Sequence, residues 1–224
     1  MSTGLLRDNG RPAWGCLQRR SFPGDWPMAA DRIELVPEGQ WDALASQITL
    51  RPYVKTVLDQ GQVGSCAAES STQALMIARE MAGLPHVPLN PYSVYHTTSG
   101  DTDQGSNIDD NLEHLMIYGA CPESVWPRSK GWRAEPSAEA KAAALEFRIA
   151  EFFDISTIEE FVSALLRGFP VVWGANGHAI CAVQHEGTYP LIVNSWGQWE
   201  DGGFGKWATY KQVNFAYGAW AMRV

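Results

Sequence analysis

The segment Asp59-Gln60-Gly61-Gln62-Val63-Gly64-Ser65-Cys66-Ala67-Ala68 decides how the rest of the chain is interpreted. Its glycines form a loop that delivers a cysteine to the first turn of a helix, which is predicted over 66–82 because apolar residues recur at steps of three or four before Gly83. Unpaired N–H groups and the helix dipole favour an anion at this end. The sequence therefore predicts a stabilised thiolate at Cys66.

Two further motifs follow in the second half of the chain. Gly177-His178-Ala179 opens an apolar alternating strand, and Asn194-Ser195-Trp196-Gly197 ends the next strand. We expect these strands to be antiparallel neighbours, which would place His178 near Asn194 across the ladder. With the helix of the other half facing them, Cys66 would meet His178 in a groove between two lobes.

The predicted elements change character along the chain. Helices are predicted at 42–48, 66–82, 106–119, 137–147 and 157–166, with capping-box signatures at Ser106-Asn107-Ile108-Asp109 and Thr157-Ile158-Glu159-Glu160. Strands are predicted later, at 171–173, 178–183, 191–194, 204–210 and 219–224. This order predicts an α+β fold with a helical half at about 51–150 and an antiparallel β half at about 151–224.

Residues 1–50 are predicted to form an N-terminal arm that packs on the body. They are rich in turn formers, among them Pro12, Pro23, Pro27 and Pro37. Three of the ten tryptophans also lie there, and that much aromatic surface favours packing over a free linker. The tryptophans are Trp14, Trp26 and Trp41.

Composition excludes several classes of function. The 224 residues carry 17 Lys and Arg against 25 Asp and Glu, which gives a net charge of −8. The sequence contains no basic stripe that would neutralise phosphates, so we do not expect nucleic-acid binding. Apolar runs are too short for a membrane helix, and no signal peptide is recognised in the first 30 residues. We therefore expect a cytoplasmic or virion-associated protein with no nucleic-acid or membrane partner.

The remaining cysteines and histidines are interpreted as structural. The four cysteines are 50, 55 and 60 residues apart, which argues against a zinc site or a disulfide scaffold. Cys16, Cys121 and Cys181 are expected to pack as small hydrophobes, with a redox link left open for the first two. His185 is predicted to be a loop or surface residue on the strand face opposite His178, because the spacing of seven is odd.

Taken in order, Gln60-Gly61-x-x-Gly64-Ser65-Cys66, Gly177-His178-Ala179 and Asn194-Ser195-Trp196-Gly197 resemble the motifs of papain-like, C1-type cysteine peptidases. The chain looks like the short prokaryotic and viral branch of that family. Residues 107–127 are also similar to the family's stretch after its central helix. The resemblance covers about residues 50–224 and implies a two-lobed papain-like fold.

The resemblance implies a role for each motif residue. Cys66 would be the nucleophile, and His178 would hold it as a thiolate and then protonate the leaving amine. Asn194 would orient the imidazole, and the side-chain amide of Gln60 would hold the oxyanion together with the N–H of Cys66. Trp196 would shield the bond between His178 and Asn194. The residues expected to border the substrate are Gly64, Ser65, Gly177 and Trp196. No metal or organic cofactor is implied.

Several positions depart from the family pattern. Ala67 stands where an aromatic residue is expected, Val63 where a cysteine is expected, and Glu69 where an apolar helix residue is usual. A family disulfide is therefore not expected. The connection at 174–177 is also shorter than the family's excursion that walls the substrate groove, so its specificity pockets are not carried over.

We expect no inhibitory prosegment of the usual size before the cysteine motif. If activity is restrained, the N-terminal arm, a partner or an assembly must restrain it, and deletion of residues 1–45 would test the arm.

Three functions remain open from the sequence. The first is hydrolysis of a peptide or protein substrate by a thiol endopeptidase. The second is acyl transfer, or hydrolysis of a cell-wall amide, by the same triad, because the triad does not define the acceptor. The third is a catalytically idle component of a larger assembly, such as a phage virion, that binds a protein partner through its N-terminal arm.

Overall fold

A sheet of six antiparallel strands organises the molecule, for which a computed structural model describes residues 15–175 and 177–224. The strands are β1 Glu151–Asp154, β2 Val171–Ala175, β3 His178–Glu186, β4 Tyr189–Val193, β5 Phe204–Gly205 and β6 Ala219–Arg223. Their order across the sheet is β1-β6-β2-β3-β4-β5. Every neighbouring pair is antiparallel.

Helices supply most of the first half. Among the described residues they are α1 Ala29–Arg32, α2 Trp41–Ala45, α3 Cys66–Met81, α4 Tyr92–Thr98, α5 Ile108–Ile117, α6 Ala138–Ala144 and α7 Ile158–Leu166. Four short 3-10 helices lie at Glu38–Gln40, Arg51–Tyr53, Arg128–Lys130 and Tyr210–Gln212. The predicted α+β class, with a helical first half and an antiparallel second half, is confirmed.

The sheet separates two hydrophobic cores because alternate strand residues point to opposite faces. Val172 and Cys181 belong to the core that contains α3 and α5, whereas Trp173 and Ile180 belong to the core that contains α7. Helix α3 is buried over almost its whole length, from Cys66 to Ala78. Packing against one face of β3, it fixes its first residue at the junction of the two halves.

The described part of the arm contributes to both cores: Cys16 and Leu50 lie in the α3 core, and residues of 29–45 lie in the α7 core. Ala29, Ile33, Val36 and Ala45 are buried there beside α7. The indole N–H of Trp41 donates to the carbonyl of Val36 at 2.7 Å. Trp14 and Pro12 lie outside the described residues.

The capping box predicted at Ser106 does not form. Helix α5 begins at Ile108, and its N-cap residue Asn107 makes no side-chain cap. These polar side chains bind elsewhere: Asn107 donates to the carbonyl of Gln18, and Ser106 accepts from Asn111 at 2.8 Å. The box at Thr157, by contrast, is complete, with both Thr157 and Glu160 capping backbone N–H groups.

Other predicted boundaries also change. The helix expected at 42–48 spans only 41–45, and the strand expected at 204–210 ends at Gly205, after which the chain turns into the 3-10 helix at Tyr210–Gln212. Neither α4 nor β1 was predicted. Strand β1 gains its partner only when Glu151–Asp154 pairs with β6 at the far end of the chain.

The predicted position of His185 is wrong. A register shift between Ala182 and Gln184 inserts one extra residue into β3 opposite β4. This bulge reverses the alternation, so His185 shares the face of Ala182, which belongs to the α7 core. Its side chain is buried and bonds the Tyr210 hydroxyl at 2.9 Å.

Within residues 15–175 and 177–224, no helix is both long and apolar enough to cross a membrane.

Candidate active site

Cys66 is the first residue of α3 and is completely buried between the two halves. Its Sγ accepts a hydrogen bond from the backbone N–H of Ala179 at 3.4 Å. Ala179 directly follows His178 at the start of β3. The predicted nucleophile and the histidine motif are therefore neighbours across the junction, although 113 positions separate Cys66 from Ala179. A helix N-terminus and a strand N–H both favour negative charge on this sulfur.

The His178 imidazole is held by Asn194. Its Nε2 lies 2.8 Å from the Oδ1 of Asn194. The same Oδ1 accepts from the backbone N–H of Ser195 at 2.9 Å, which identifies it as the oxygen of the amide. Nε2 therefore carries a proton and donates to Asn194, so that Nδ1 is the nitrogen able to exchange a proton with a neighbour.

Tryptophans enclose this imidazole. The Trp196 ring lies 4.7 Å from the His178 ring between centroids at an interplanar angle of 33°, and Trp207 contacts it edge-on at 5.8 Å. Trp199 in turn packs on both indoles. Because Trp196 is buried under these rings, it shields the bond between His178 and Asn194 and presents little surface to a substrate.

Gln60 lies in the loop before Cys66, and both ends of its side-chain amide are bonded. Its Oε1 accepts from the Ser195 hydroxyl at 2.7 Å, and its Nε2 donates to the carbonyl of Val63 at 2.9 Å. Because a carbonyl oxygen can only accept, the Val63 bond fixes which end of the amide is the donor. One N–H of Nε2 remains for a developing oxyanion, alongside the N–H of Cys66.

The two residues between Gln60 and Cys66 that were expected to border the substrate differ in orientation. The N–H of Gly64 donates to Asp103 at 2.7 Å. The Ser65 hydroxyl is buried and donates to Glu69 at 3.1 Å, so this side chain faces the protein interior. The Gly64 carbonyl thus lies beside Gly15 at the junction, whereas the Ser65 side chain is bonded inside the helical half.

A strap formed by residues 15–21 crosses the junction over Cys66. Its backbone bonds the helical half at Ser106, whose N–H donates to Gly15 at 2.9 Å and whose carbonyl accepts from Leu17 at 3.1 Å. Between these two bonds, the N–H of Cys16 donates to the carbonyl of Gly177 in the β half at 3.0 Å. The strap is therefore a short parallel bridge that ties both halves together.

The approach of the strap to the cysteine requires glycine. A Cβ on Gly15, where φ is +130°, would lie 2.3 Å from the Gly64 carbonyl oxygen and 3.0 Å from the Sγ of Cys66. A Cβ on Gly105 would lie 2.4 Å from the carbonyl oxygen of Gly15. The two contacts with carbonyl oxygens are far shorter than a side chain tolerates, so the strap lies directly against the loop and beside the sulfur.

Buried charges anchor the rest of the strap. The guanidinium of Arg19 bonds both oxygens of Asp154, at 2.8 and 2.6 Å, and the Asp154 side chain is fully buried. Asp109 on α5 accepts from the backbone N–H groups of Arg20 and Ser21 at 2.9 and 2.8 Å. These bonds hold the strap to both halves.

Cys16 contributes a second thiol beside the first. Burial raises the pKa of the Cys16 thiol, and nearby Cys66 and Asp109 act in the same direction. Cys16 is thus held as a neutral thiol. Within the part of the chain that the structure describes, no group of three or more His, Cys, Asp or Glu residues could hold a metal ion.

Some of these contacts had no sequence signal. Ser195 stands inside a quoted motif, and its side chain could have been suspected as a partner of Gln60. The backbone bonds of Ala179 and Ser106, however, depend on the fold and leave no trace in residue type.

Comparison with known proteins supports this fold. No family model matches the chain. A protein of Acanthamoeba polyphaga mimivirus named peptidase C1-like protein L477 is 26% identical, over 76% of this chain and 67% of that protein. Xylellain, a cysteine protease from Xylella fastidiosa, superposes with a TM-score of 0.73 and 20% identity over 95% of this chain and 96% of that one. Digestive procathepsin L 3 of Tenebrio molitor superposes with a TM-score of 0.66 and 16% identity, over 79% of this chain and 69% of that one.

Proposed function

We propose that this chain, a papain-like cysteine peptidase of the C1 type, is an endopeptidase that cleaves peptide bonds through an acyl-enzyme on Cys66. One observation carries the proposal. The sulfur of Cys66 accepts from the N–H next to His178, while the imidazole of His178 is bonded to Asn194 at 2.8 Å. A sulfur at a helix start, a histidine and an orienting amide form the arrangement that thiol-based acyl transfer requires.

The reaction follows from this geometry. The Cys66 thiolate attacks the carbonyl carbon of the substrate, so that an S–C bond forms and the carbonyl electrons move onto oxygen. When the C–N bond breaks, the His178 imidazolium gives its proton to the leaving amine. A water molecule then attacks the thioester, loses a proton to His178, and releases the acid and the thiolate. Asn194 keeps the ring oriented through both steps.

The oxyanion is the charge that the protein must stabilise. The free N–H of Gln60 and the backbone N–H of Cys66 are the two donors that we assign to it. The Val63 carbonyl, which can only accept, prevents the Gln60 amide from turning its oxygen toward that charge. Donors held in advance cost no reorganisation in the transition state, and the loss of one typically lowers the rate about 10²- to 10³-fold.

Access to Cys66 depends on the strap. Residues 15–17 bond the backbone of Ser106 on one side and Gly177 on the other, and Gly15 lies against the sulfur. An extended peptide placed over Cys66 would need the same space. We therefore assign an inhibitory role to the strap, which must leave before a substrate binds.

The first experiment needs no knowledge of the substrate. The alkylation rate of Cys66 by iodoacetamide is measured from pH 4 to pH 9 in the full chain, with Cys66→Ser to isolate the site and His178→Ala to isolate its partner. We expect a rate that stays nearly constant down to about pH 4 to 5 and loses this plateau in His178→Ala. A rate that follows an ordinary thiol near about pH 8.5, indifferent to His178, would overturn the proposal.

Peptidase activity is then tested on denatured casein by mass spectrometry of the fragments, with Cys66→Ser as the blank. Cleavage that depends on Cys66 supports hydrolysis. New amide products formed only with an added amine would instead indicate acyl transfer.

The strap also favours a second candidate, a catalytically idle binding component. Both Cys66 and His178 are fully buried, and the arm supplies part of the α7 core. A binding component would retain its partner after Cys66→Ser and would show no thiolate at low pH.

A further inference from the structure

A buried ion pair lies behind the loop that carries Gln60. Glu69, three residues after Cys66 on α3, is completely buried, and its Oε2 bonds the guanidinium of Arg128 at 2.7 Å. Its other oxygen accepts from the Ser65 hydroxyl at 3.1 Å. Burial raises the pKa of Glu69, while the charge of Arg128 opposes that shift. Arg128 therefore stabilises the charged form of this carboxyl group against the cost of its burial.

Arg128 connects this carboxylate to the start of the same loop. One nitrogen of its guanidinium bonds Glu69, and the other donates to the backbone carbonyl of Asp59, the residue before Gln60. The group lies over the Tyr92 ring, 4.6 Å from its centroid, and the Tyr92 hydroxyl donates to the Gln60 carbonyl at 3.4 Å.

Arg128 itself is fixed from outside the site. Its own backbone N–H donates to the carboxylate Oε1 of Glu123 at 2.7 Å.

These bonds span the oxyanion loop from end to end. Asp59 precedes the side chain that donates to the oxyanion, and Ser65 precedes the backbone N–H that does so. A single planar guanidinium with its carboxylate therefore joins the two ends of the loop at fixed spacing. An ion pair in this position contributes little net stability, since the cost of desolvation offsets its attraction. The ion pair acts instead on the spacing of the two donors.

We propose that Arg128, acting through Glu69, is a positioning residue that sets the distance between the two oxyanion donors, Gln60 and the N–H of Cys66. The inference rests on the proposed function, because only a reaction that develops an oxyanion uses these donors. Arg128 leaves the sulfur untouched. Its loss should thus weaken oxyanion stabilisation and leave the nucleophile intact.

Two reagents that react with the same sulfur separate these effects. Iodoacetamide forms an S–C bond and expels iodide without an oxyanion. p-Nitrophenyl acetate forms a thioester through a tetrahedral oxyanion and expels p-nitrophenolate, which is measured directly. Both must pass the strap to reach Cys66, so the ratio of acylation rate to alkylation rate in the full chain is independent of access. Rates in Cys66→Ser are subtracted.

We expect Arg128→Met to lower this ratio about 10- to 100-fold, because a misplacement of a donor by about 1 Å has an effect of that size. Arg128→Lys should restore little, since one ammonium cannot bond both the Asp59 carbonyl and Glu69 in the same plane. Arg79→Met is the matched control. Arg79 also lies over an aromatic ring, Phe147, and donates to a backbone carbonyl, but at the far end of α3.

A second variant guards against misfolding, because Arg128→Met leaves the Glu69 carboxylate buried without its partner. The double variant Glu69→Leu/Arg128→Met removes both charges, and its folding is verified by circular dichroism. We expect it to show the same loss in the ratio. An unchanged ratio in the folded double variant would overturn the proposal. If the wild type itself acylates no faster than a simple thiol while alkylating normally, the proposed function fails instead.

Discussion

Gly15 lies against Cys66 so closely that a Cβ added to the glycine would stand 3.0 Å from the sulfur and 2.3 Å from the neighbouring Gly64 carbonyl oxygen. The segment that covers the cysteine is therefore fitted to it at the level of single atoms. Because the fit depends on the missing side chain, one methyl group should separate the strap from the site.

Gly15→Ala should expose Cys66. The methyl group cannot occupy the space beside Gly64, so the strap must shift, and a change of about 1.4 kcal/mol in its closed state already alters exposure tenfold. We expect iodoacetamide to alkylate Cys66 at least about 10-fold faster. Gly24→Ala is the control, because Gly24 also has a positive φ but no atom within 4 Å of its added Cβ. Equal rates in both variants would argue against a fitted strap.

Removal of the strap should have the same effect if the rest of the arm is kept. Deletion of residues 1–45 would also remove Ala29, Ile33 and Val36 from the α7 core. Deletion of residues 1–18 retains these residues and the Arg19 anchor. We expect faster alkylation in a chain that still unfolds cooperatively, which differential scanning fluorimetry verifies. An alkylation rate equal to that of the full chain would contradict the inhibitory role of the strap.

The amide of Gln60 should matter for acylation alone. Gln60→Ala removes one oxyanion donor, so acylation by p-nitrophenyl acetate should fall about 10²- to 10³-fold while alkylation is maintained. Ser195→Ala removes one of the two bonds that hold the amide and should produce a smaller loss in the same direction, because the Val63 bond remains. A parallel fall in both reactions would indicate damage to the thiolate and not to the oxyanion site.

The strap anchor should contribute to stability. Arg19→Met leaves Asp154 buried without its ionic partner, which lowers the free energy of unfolding by about 3–5 kcal/mol. Arg167→Met removes an exposed partner of Glu34 and should cost at most about 1 kcal/mol. Urea unfolding followed by tryptophan fluorescence measures both. Similar costs for the two variants would contradict the burial argument.

Stability should fall at acidic pH partly through His114 on α5. Burial, with a smaller effect of His96, lowers the pKa of His114 from its ordinary 6.5 to about 4. Between these values the unfolded chain binds more protons, so stability decreases as the pH falls through this window. Between pH 7.5 and pH 5, the free energy of unfolding of His114→Gln should thus fall by about 2 kcal/mol less than that of the wild type. Identical losses by urea unfolding would exclude His114 as a source.

The sequence predicted those parts of the molecule that local patterns control. The start of α3 at Cys66 and the capping box at Thr157 follow from residues within one helical turn. The box at Ser106 failed because Asn107 and Asp109 bind the strap, which is distant in sequence. Local signatures thus hold only where no distant backbone competes for the same polar side chains.

The candidate site shows the same division. Glu69 stands out in the sequence as a polar residue in an apolar position, but its partner Arg128 is 59 positions away. The side of the sheet that His185 occupies depends on a bulge, which alternation alone does not reveal. Residue types marked the chemistry, whereas the contacts that position it arise from the tertiary fold.

The covalent attachment of the strap has a consequence for any substrate. A tethered competitor acts at an effective concentration of about millimolar, whatever the concentration of the protein. Dilution therefore cannot release it, in contrast to a separate inhibitor chain. If the strap is open in about one molecule in 100, the apparent KM rises about 100-fold without any change in the intrinsic affinity of the site. Such a peptidase would cleave peptides only at high concentration, or after a ligand has bound the strap in its open position.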